Sequence, residues 1–293
     1  MKIARCMVDG RPCWGLVDQE RDRVQLIAGA FEDWAPSITA EPGQAPPLSG
    51  ETLRLSDAHL LAPVPDHAMV VAVGATYAKH VADLGAHMPV KPGTFLKTRN
   101  TLIGSGAAIR YHSVTEQLDF ECELVVVLGA ALTRDDPMRS VLGYTVGNDI
   151  SARDLQMDGG ITGWDMFSGK ALDGTGGVGP WIVTRDEIAE DHPDLKIETR
   201  VNGETRQSDR TGSMVWTISD LLKYVDARAS FAAGDILFTG TCAGIGFADG
   251  RYLASGDVVE VTIEGIGTLS NTVGPHELAD ASGVPVAVGA QRG

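Results

Sequence analysis

The chain has little positive charge and no long apolar run. Of its 293 residues, 24 are Lys or Arg and 39 are Asp or Glu, which gives a net charge of −15. Affinity for phosphate backbones needs clustered cations, so we expect no nucleic-acid partner. No run approaches the about 20 apolar residues of a membrane span, and the N-terminus lacks a signal-peptide stretch. We therefore expect no membrane partner and a cytoplasmic location.

Metal-binding cysteine pairs and aromatic residues are also scarce. The four cysteines, Cys6, Cys13, Cys122 and Cys242, form no CxxC motif, which argues against zinc-ribbon and thioredoxin-like proteins. Aromatic residues make up 6% of the chain, whereas glycine contributes 35 residues. Together with a hydrophobic content of 43%, this composition is typical of a turn-rich sheet protein with a substantial core rather than a helical bundle.

A change in local composition divides the chain into two parts. Residues 1–65 contain two short strand patterns and then a Pro-, Ala- and Gly-rich stretch, 36–50, that predicts a loop or linker. From Met69 an unbroken apolar run predicts a buried strand. We therefore predict a small N-terminal domain over 1–65 and a larger domain over 66–293.

The larger domain carries alternating strand and helix signals. Residues 118–128 and 142–148 predict strands, and 77–84 a short helix. Asn202-Gly203 between two polar strand patterns predicts a type I′ hairpin. Apolar residues at helical spacing predict a helix over 214–226 that packs on the sheet.

Glu121 and Glu123 are separated by one residue and precede the apolar run 125–128. On a strand, such residues point to one face, roughly 6–7 Å apart. Buried carboxylates need a cation, and a hard divalent ion such as Mg²⁺ is a natural partner. The alternative is a half-exposed strand whose two glutamates face water.

Further polar groups follow at predicted strand ends, where ligands often bind. Asp149 ends a strand, although it could simply cap a helix. His80 and Asp83 are neighbours on a helix, a spacing that suits a general base and its orienting carboxylate but is also common among surface contacts. Thr239-Gly240-Thr241 could bind a carboxylate or form a tight turn.

This ordered set resembles the fumarylacetoacetate hydrolase family over about residues 67–273. The matching stretches are 77–80, 95–97, 119–124, 148–156, 169–170 and 239–241. The resemblance implies a mostly β fold with some α, an α+β class in which a rolled mixed β-sheet (a β-roll or barrel) encloses a metal site. It also implies a homodimer.

The resemblance assigns roles residue by residue. Glu121, Glu123 and Asp149 would ligate Mg²⁺, with Mn²⁺ or Ca²⁺ as alternatives. His80 would be the base, and Asp83 stands where relatives of this size usually have the glutamate that supports it. Tyr77, Arg153, Gln156 and Thr241 would bind the substrate, and Lys170 would be a catalytic cation. Apart from the resemblance, the apolar residues nearby either shape the substrate pocket or pack in the core: Met157, Trp164, Met166 and Phe167.

Three functions remain open from the sequence. The first expectation is metal-dependent hydrolysis of a carbon–carbon bond in a small anionic acylpyruvate-like dicarbonyl acid, with His80 activating water. The second uses the same metal site for oxaloacetate decarboxylation or for tautomerisation of a hydroxydienoate. All these reactions share enolate chemistry, so the motif does not separate them. The third, a non-catalytic metal-stabilised binding protein, is opposed by the presence of His80 beside Lys170 and Arg153.

Overall fold

The computed structural model describes residues 1–160 and 163–278. Strands dominate these residues and six short α-helices lie between them. The helices are α1 (Phe31–Ala40), α2 (Ala78–Asp83), α3 (Arg153–Met157), α4 (Met166–Lys170), α5 (Ile218–Asp226) and α6 (Gly246–Asp249). The strands are β1 (Lys2–Val8), β2 (Arg11–Asp18), β3 (Arg23–Ile27), β4 (Leu48–Arg54), β5 (His59–Leu61), β6 (Val70–Gly74), β7 (Gly93–Lys97), β8 (Leu102–Ile103), β9 (Ala108–Tyr111), β10 (Leu118–Asp119), β11 (Cys122–Leu128), β12 (Val141–Asn148), β13 (Ser151–Ala152), β14 (Gly176–Thr184), β15 (Lys196–Val201), β16 (Glu204–Arg210), β17 (Ile236–Thr241), β18 (Val258–Ile263) and β19 (Gly267–His276).

A mixed sheet of twelve described strands forms the backbone of the fold. Its main order is β4-β3-β2-β1-β14-β12-β11-β17-β6-β7, with β5 beside β1 and β8 beside β14. Strands β11, β12 and β14 are buried along their whole length, which explains their near-continuous apolar sequences. The N-terminal strands extend this same sheet, because β1 pairs with β14.

The two faces of this sheet pack against different layers. Leu124, Val126 and Leu128 point to one face, where they meet α5 and the five-stranded sheet β16-β15-β18-β19-β9. Val125 and Val127 point to the other face and pack with the aromatic side chains of α1. The sequence prediction of a mostly β fold with some helices is confirmed. No helix among the described residues is long and apolar enough to cross a membrane.

Three local predictions need correction, and a fourth is confirmed. Residues 36–50 were expected to be loop, but α1 covers their first part and β4 their last, because Phe31, Trp34 and Ile38 recur at helical spacing and are buried. The helix predicted to begin at residue 214 begins at Ile218. Thr217 caps it, because its Oγ1 accepts a hydrogen bond from the N–H of Asp220 at 3.1 Å. The hairpin at Asn202-Gly203 is confirmed, with φ of 51° and 80°.

The strand expected over 118–128 is interrupted at Phe120-Glu121. The N–H of Phe120 donates to Asp119 Oδ1 at 2.8 Å, and that of Glu121 donates to Asn148 Oδ1 at 3.1 Å. These two N–H groups therefore bond to side chains instead of to a neighbouring strand, and the chain can change direction before β11 begins.

Candidate active site

Three buried carboxylates converge where β11 meets β12. Glu121 immediately precedes β11, Glu123 is its second residue, and Asp149 directly follows β12. Antiparallel pairing places Cys122 opposite Asn148, so the start of one strand lies beside the end of the other. One carboxylate oxygen from each of the three residues lies within 4.8 Å of the other two. The residues predicted as metal ligands are thus brought together.

This set of oxygen donors fits a hard divalent cation. Burial and the negative charges of Asp149 and Glu121 raise the pKa of Glu123 well above its usual value. A bound cation would offset the repulsion between these carboxylates, as expected of a metal-binding site. The triad could therefore hold a divalent metal ion, and its chemistry does not distinguish Mg²⁺ from Mn²⁺ or Ca²⁺.

Gly240 supports the triad through its backbone. Its N–H donates to Glu123 Oε2 at 2.6 Å. The residue adopts φ of +94°, and a Cβ there would lie 2.1 Å from Thr76 Oγ1. Only glycine can bring this N–H so close without displacing its neighbour.

Two buried lysines offset part of the triad's negative charge. Lys170 Nζ lies 2.8 Å from Glu121 Oε2 and 2.9 Å from Asp149 Oδ2. Lys97 Nζ lies 2.5 Å from Asp149 Oδ1 and also donates to the backbone carbonyl of Lys170. Burial opposes the charge of Lys170, but Asp149 and Glu121 outweigh it and raise the pKa of this lysine. Lys170 thus stays protonated at the floor of the site.

Lys97 and Asp119 belong to the site although sequence reasoning gave them no role. Both residues lie in stretches that carry the family resemblance. For Lys97, the pattern that could have indicated a role is a single lysine at the end of a predicted strand. Asp119 accepts a hydrogen bond from Arg153 Nε at 2.8 Å, and also from the N–H groups of Gly246 and Phe247 at 2.7 and 3.0 Å. Asp119 therefore fixes Arg153 relative to α6.

Arg153 connects the carboxylates to the predicted substrate residues. Its Nη2 lies 2.6 Å from Glu121 Oε1, and its Nη1 lies 2.9 Å from Gln156 Oε1. Burial alone would raise the pKa of Glu121, but the charges of Lys170 and Arg153 outweigh it and lower the pKa to about 2. Glu121 is consequently a permanent carboxylate at neutral pH.

His80 lies at the same cavity but is not paired with Asp83. His80 is buried, and its Nδ1 has no hydrogen-bond partner among residues 1–160 and 163–278. Asp83 is exposed and makes no hydrogen bond or ion pair with any described residue. Burial lowers the pKa of His80; Arg153 and Lys170 add to this shift, while Glu121 and, least of all, the charge of Asp83 oppose it. The imidazole is therefore neutral near pH 7, and no carboxylate of the described residues is hydrogen-bonded to its Nδ1.

The predicted residues surround one cavity of about 260 Å³. His80, Arg153, Gln156, Lys170 and Thr241 line it together with the carboxylate triad. Thr241 Oγ1 already accepts a hydrogen bond from Gln207 Nε2 at 2.8 Å. Met157, Trp164 and Met166 also line the cavity, as anticipated.

Two predicted residues lie outside this cavity. Tyr77, predicted to bind substrate, is buried in the core beside Cys122 and Met214, and its hydroxyl has no partner in the described part of the chain. Phe167, predicted as a wall, is 68% exposed and points away from the cavity lining. Each residue is a neighbour in sequence of residues that do line the cavity. Sequence position alone does not determine which of these neighbouring side chains enters the cavity.

Comparison with known proteins agrees with this geometry. The model of the fumarylacetoacetate (FAA) hydrolase C-terminal domain matches residues 69–274, and an Rv2993c-like N-terminal model matches residues 1–63. The first match covers more than half of the chain. This protein therefore belongs to the fumarylacetoacetate hydrolase family.

Several similar proteins are named as tautomerases or isomerases. The chain is 38% identical over 264 residues to the oxaloacetate tautomerase YisK of Bacillus subtilis (strain 168), covering 87% of this chain and 84% of that protein. It is 37% identical over 223 residues to the mitochondrial oxaloacetate tautomerase FAHD2A of Bos taurus, covering 74% and 70%. The structure of a 5-carboxymethyl-2-hydroxymuconate delta-isomerase from Mycobacterium smegmatis matches with a TM-score of 0.78 and 31% identity, covering 94% of this chain and all of that one.

Proposed function

We propose that this protein is a metal-dependent tautomerase that interconverts the enol and keto forms of a small 2-oxo acid, with oxaloacetate as the first candidate substrate. The observation that carries this proposal is the state of His80. The imidazole faces the Glu121–Lys170–Arg153 cluster, yet no carboxylate of the described residues accepts a hydrogen bond from its Nδ1 to orient it for activating water. The names of the relatives favour the same choice. Hydrolysis, the first expectation from sequence, is therefore placed second.

Tautomerisation requires little from the protein beyond charge placement and one proton relay. The enol oxygen loses a proton, the adjacent carbon gains one, and the double bond moves from carbon–carbon to carbon–oxygen. A neutral imidazole such as His80 can accept the first proton and return a proton to carbon. No attacking water is needed, so an unpaired His80 suffices.

The remaining groups would stabilise negative charge on the substrate. Glu121, Glu123 and Asp149 would hold the divalent ion, which when bound supplies a Lewis acid that polarises the 2-oxo acid group. Lys170 places a permanent cation beside the same position, and buried cations act strongly because they are shielded from water. Arg153 holds Gln156 toward the cavity, where its amide can orient the substrate carboxylate.

The test is a tautomerase assay on oxaloacetate that follows loss of the enol absorbance. We expect turnover with Mg²⁺ or Mn²⁺, and none after removal of the metal with EDTA. A Glu123→Gln variant at the same metal concentration controls for catalysis by free ions.

Parallel assays for carbon dioxide from oxaloacetate, and for acetate and pyruvate from acetylpyruvate, measure the competing reactions. Rapid hydrolysis of acetylpyruvate without accelerated tautomerisation would overturn the proposal and restore the hydrolase.

A further inference from the structure

The cavity has a polar floor and an apolar wall. The carboxylate triad and Lys170 form the floor. The wall is built from residues of several separate segments: Val81, Leu84, Phe95, Met157, Trp164 and Phe247. Trp164 is 55% exposed, and Met157 and Phe247 are also partly exposed, so these side chains reach from the floor to the cavity mouth. A ligand held at the floor would extend along this apolar wall.

The wall offers no strong cation to a second acidic group. Among the described lining residues, the possible cations are His80, His87, Arg153 and Lys170. The Arg153 guanidinium already donates to Asp119, Glu121 and Gln156, and Lys170 donates to Glu121 and Asp149. His80 is buried and already faces Glu121 at the floor. Only His87, which is exposed, remains to face a distant carboxylate.

An unpaired carboxylate is poorly accommodated on an apolar surface, whereas an apolar group gains by leaving water. Oxaloacetate would place its second carboxylate on this wall. A monocarboxylic 2-oxo acid with an apolar substituent would instead put its charged end on the floor and its substituent on the wall.

We infer that the preferred substrate is a monocarboxylic 2-oxo acid that carries an apolar substituent about the size of a phenyl ring. This inference rests on the proposed tautomerase function and refines its substrate class. The reaction is unchanged, with one proton leaving the enol oxygen and one added to the adjacent carbon. Met157, Trp164 and Phe247 are the residues that set this preference.

Phenylpyruvate is a direct probe, because its enol form absorbs in the ultraviolet and its phenyl ring replaces the second carboxylate of oxaloacetate. With the metal-loaded full chain, we expect kcat/KM for phenylpyruvate to exceed that for oxaloacetate by at least about tenfold, in line with discrimination by an apolar pocket. Oxaloacetate turnover with no detectable action on phenylpyruvate would overturn the inference and leave the tautomerase proposal standing.

Two variants test the wall itself. Trp164→Ala should lower the phenylpyruvate-to-oxaloacetate ratio of kcat/KM about tenfold by removing apolar contact area. Met157→Arg adds a cation at the mouth and should move the same ratio toward oxaloacetate. Phe167→Ala is the matched control, because Phe167 is exposed on α4 but does not line the cavity. Equal ratios in all three variants would overturn the assignment of the wall.

A binding measurement keeps the inference testable if neither acid is turned over. Calorimetric titration of the Mg²⁺-loaded protein with phenylpyruvate should then show binding that Trp164→Ala weakens about tenfold and Phe167→Ala leaves unchanged. That result would refute the tautomerase while supporting the apolar subsite. Absence of binding would refute the subsite as well.

Discussion

The carboxylate floor and helix α2 contribute to one cavity but are built very differently. Glu121, Glu123 and Asp149 extend from central, fully buried strands, and each has at least one hydrogen-bond donor in place. His80 projects from a helix of six residues whose Asp83 is exposed and unpaired among the described residues. The floor is thus fixed by the sheet, whereas the base depends on a peripheral segment.

This difference predicts different roles for the two regions. Under the proposed function, a metal held on the floor by β11 and β12 would polarise many 2-oxo acids in the same way. The reaction that follows depends on whether α2 provides an activated water, a proton relay or only a wall. Substitutions on the floor should therefore abolish all chemistry, and those on α2 should alter it by smaller amounts.

The largest effect is expected from Asp149→Asn. The change removes one of three metal-ligand charges and leaves a single acceptor oxygen where Lys97 and Lys170 now bond to separate oxygens. We expect a fall in kcat of at least about 10³-fold together with weakened metal binding, because metal and cation stabilisation act together at this point. Calorimetry with Mn²⁺ and a tautomerase assay measure the two losses. Asp158→Asn, on the exposed end of α3, is the control and should change neither.

Lys170→Met should reduce kcat about 10²–10³-fold, the usual cost of removing one charge-stabilising donor from an active site. The comparison is Lys97→Met, which also removes a contact to Asp149 but from a residue outside the cavity lining. Lys97→Met should mainly weaken metal binding and lower the melting temperature. Equal kcat losses at saturating metal would contradict a direct role for Lys170.

His80→Ala should lower tautomerase kcat about 10²-fold, within the range of general acid–base catalysis. KM should change little, since neutral His80 is not assigned to bind the carboxylate. Addition of free imidazole should partly restore the rate, and His59→Ala, at an exposed residue outside the cavity lining, serves as the control. An undiminished rate in His80→Ala would show that another group moves the proton.

Metal affinity should rise with pH because Glu123 holds its proton more tightly than usual. Its pKa lies well above the usual value, owing to burial and to Asp149 and Glu121. Between the usual and the raised pKa, binding must release this proton, so affinity should increase about tenfold per pH unit and level off above the raised pKa. Titrations in buffers of different ionisation enthalpy would count the proton. A flat profile would mean that Glu123 is already ionised.

The sequence could predict the floor because its residues are neighbours along strands and keep a fixed order. The spacing of Glu121 and Glu123 and the position of Asp149 after an apolar run are local patterns. Lys97 and Asp119 were not assigned because their roles depend on contacts 52 and 34 residues away along the chain. The interruption at Phe120-Glu121 was missed because side-chain hydrogen bonds, not propensity, end the strand there.

The environment of α2 was harder to predict. The spacing of His80 and Asp83 correctly placed both on one helix, yet spacing does not determine which side chain enters the cavity. Tyr77 illustrates the same limit, since it precedes the helix and turns into the core instead. Burial of one neighbour and exposure of the next is decided by tertiary packing.

The smallest effect is expected at Asp83. In the structure it makes no hydrogen bond with His80, and the charge of an exposed carboxylate is largely screened by water. Asp83→Asn should therefore change tautomerase kcat less than about threefold, since surface charges couple weakly. Asp83→Glu gives a longer side chain that reaches further toward His80, and acetylpyruvate hydrolysis should be assayed in this variant. If Asp83→Asn lost as much activity as His80→Ala, the two residues would pair once substrate is bound, and the hydrolase mechanism would regain its base.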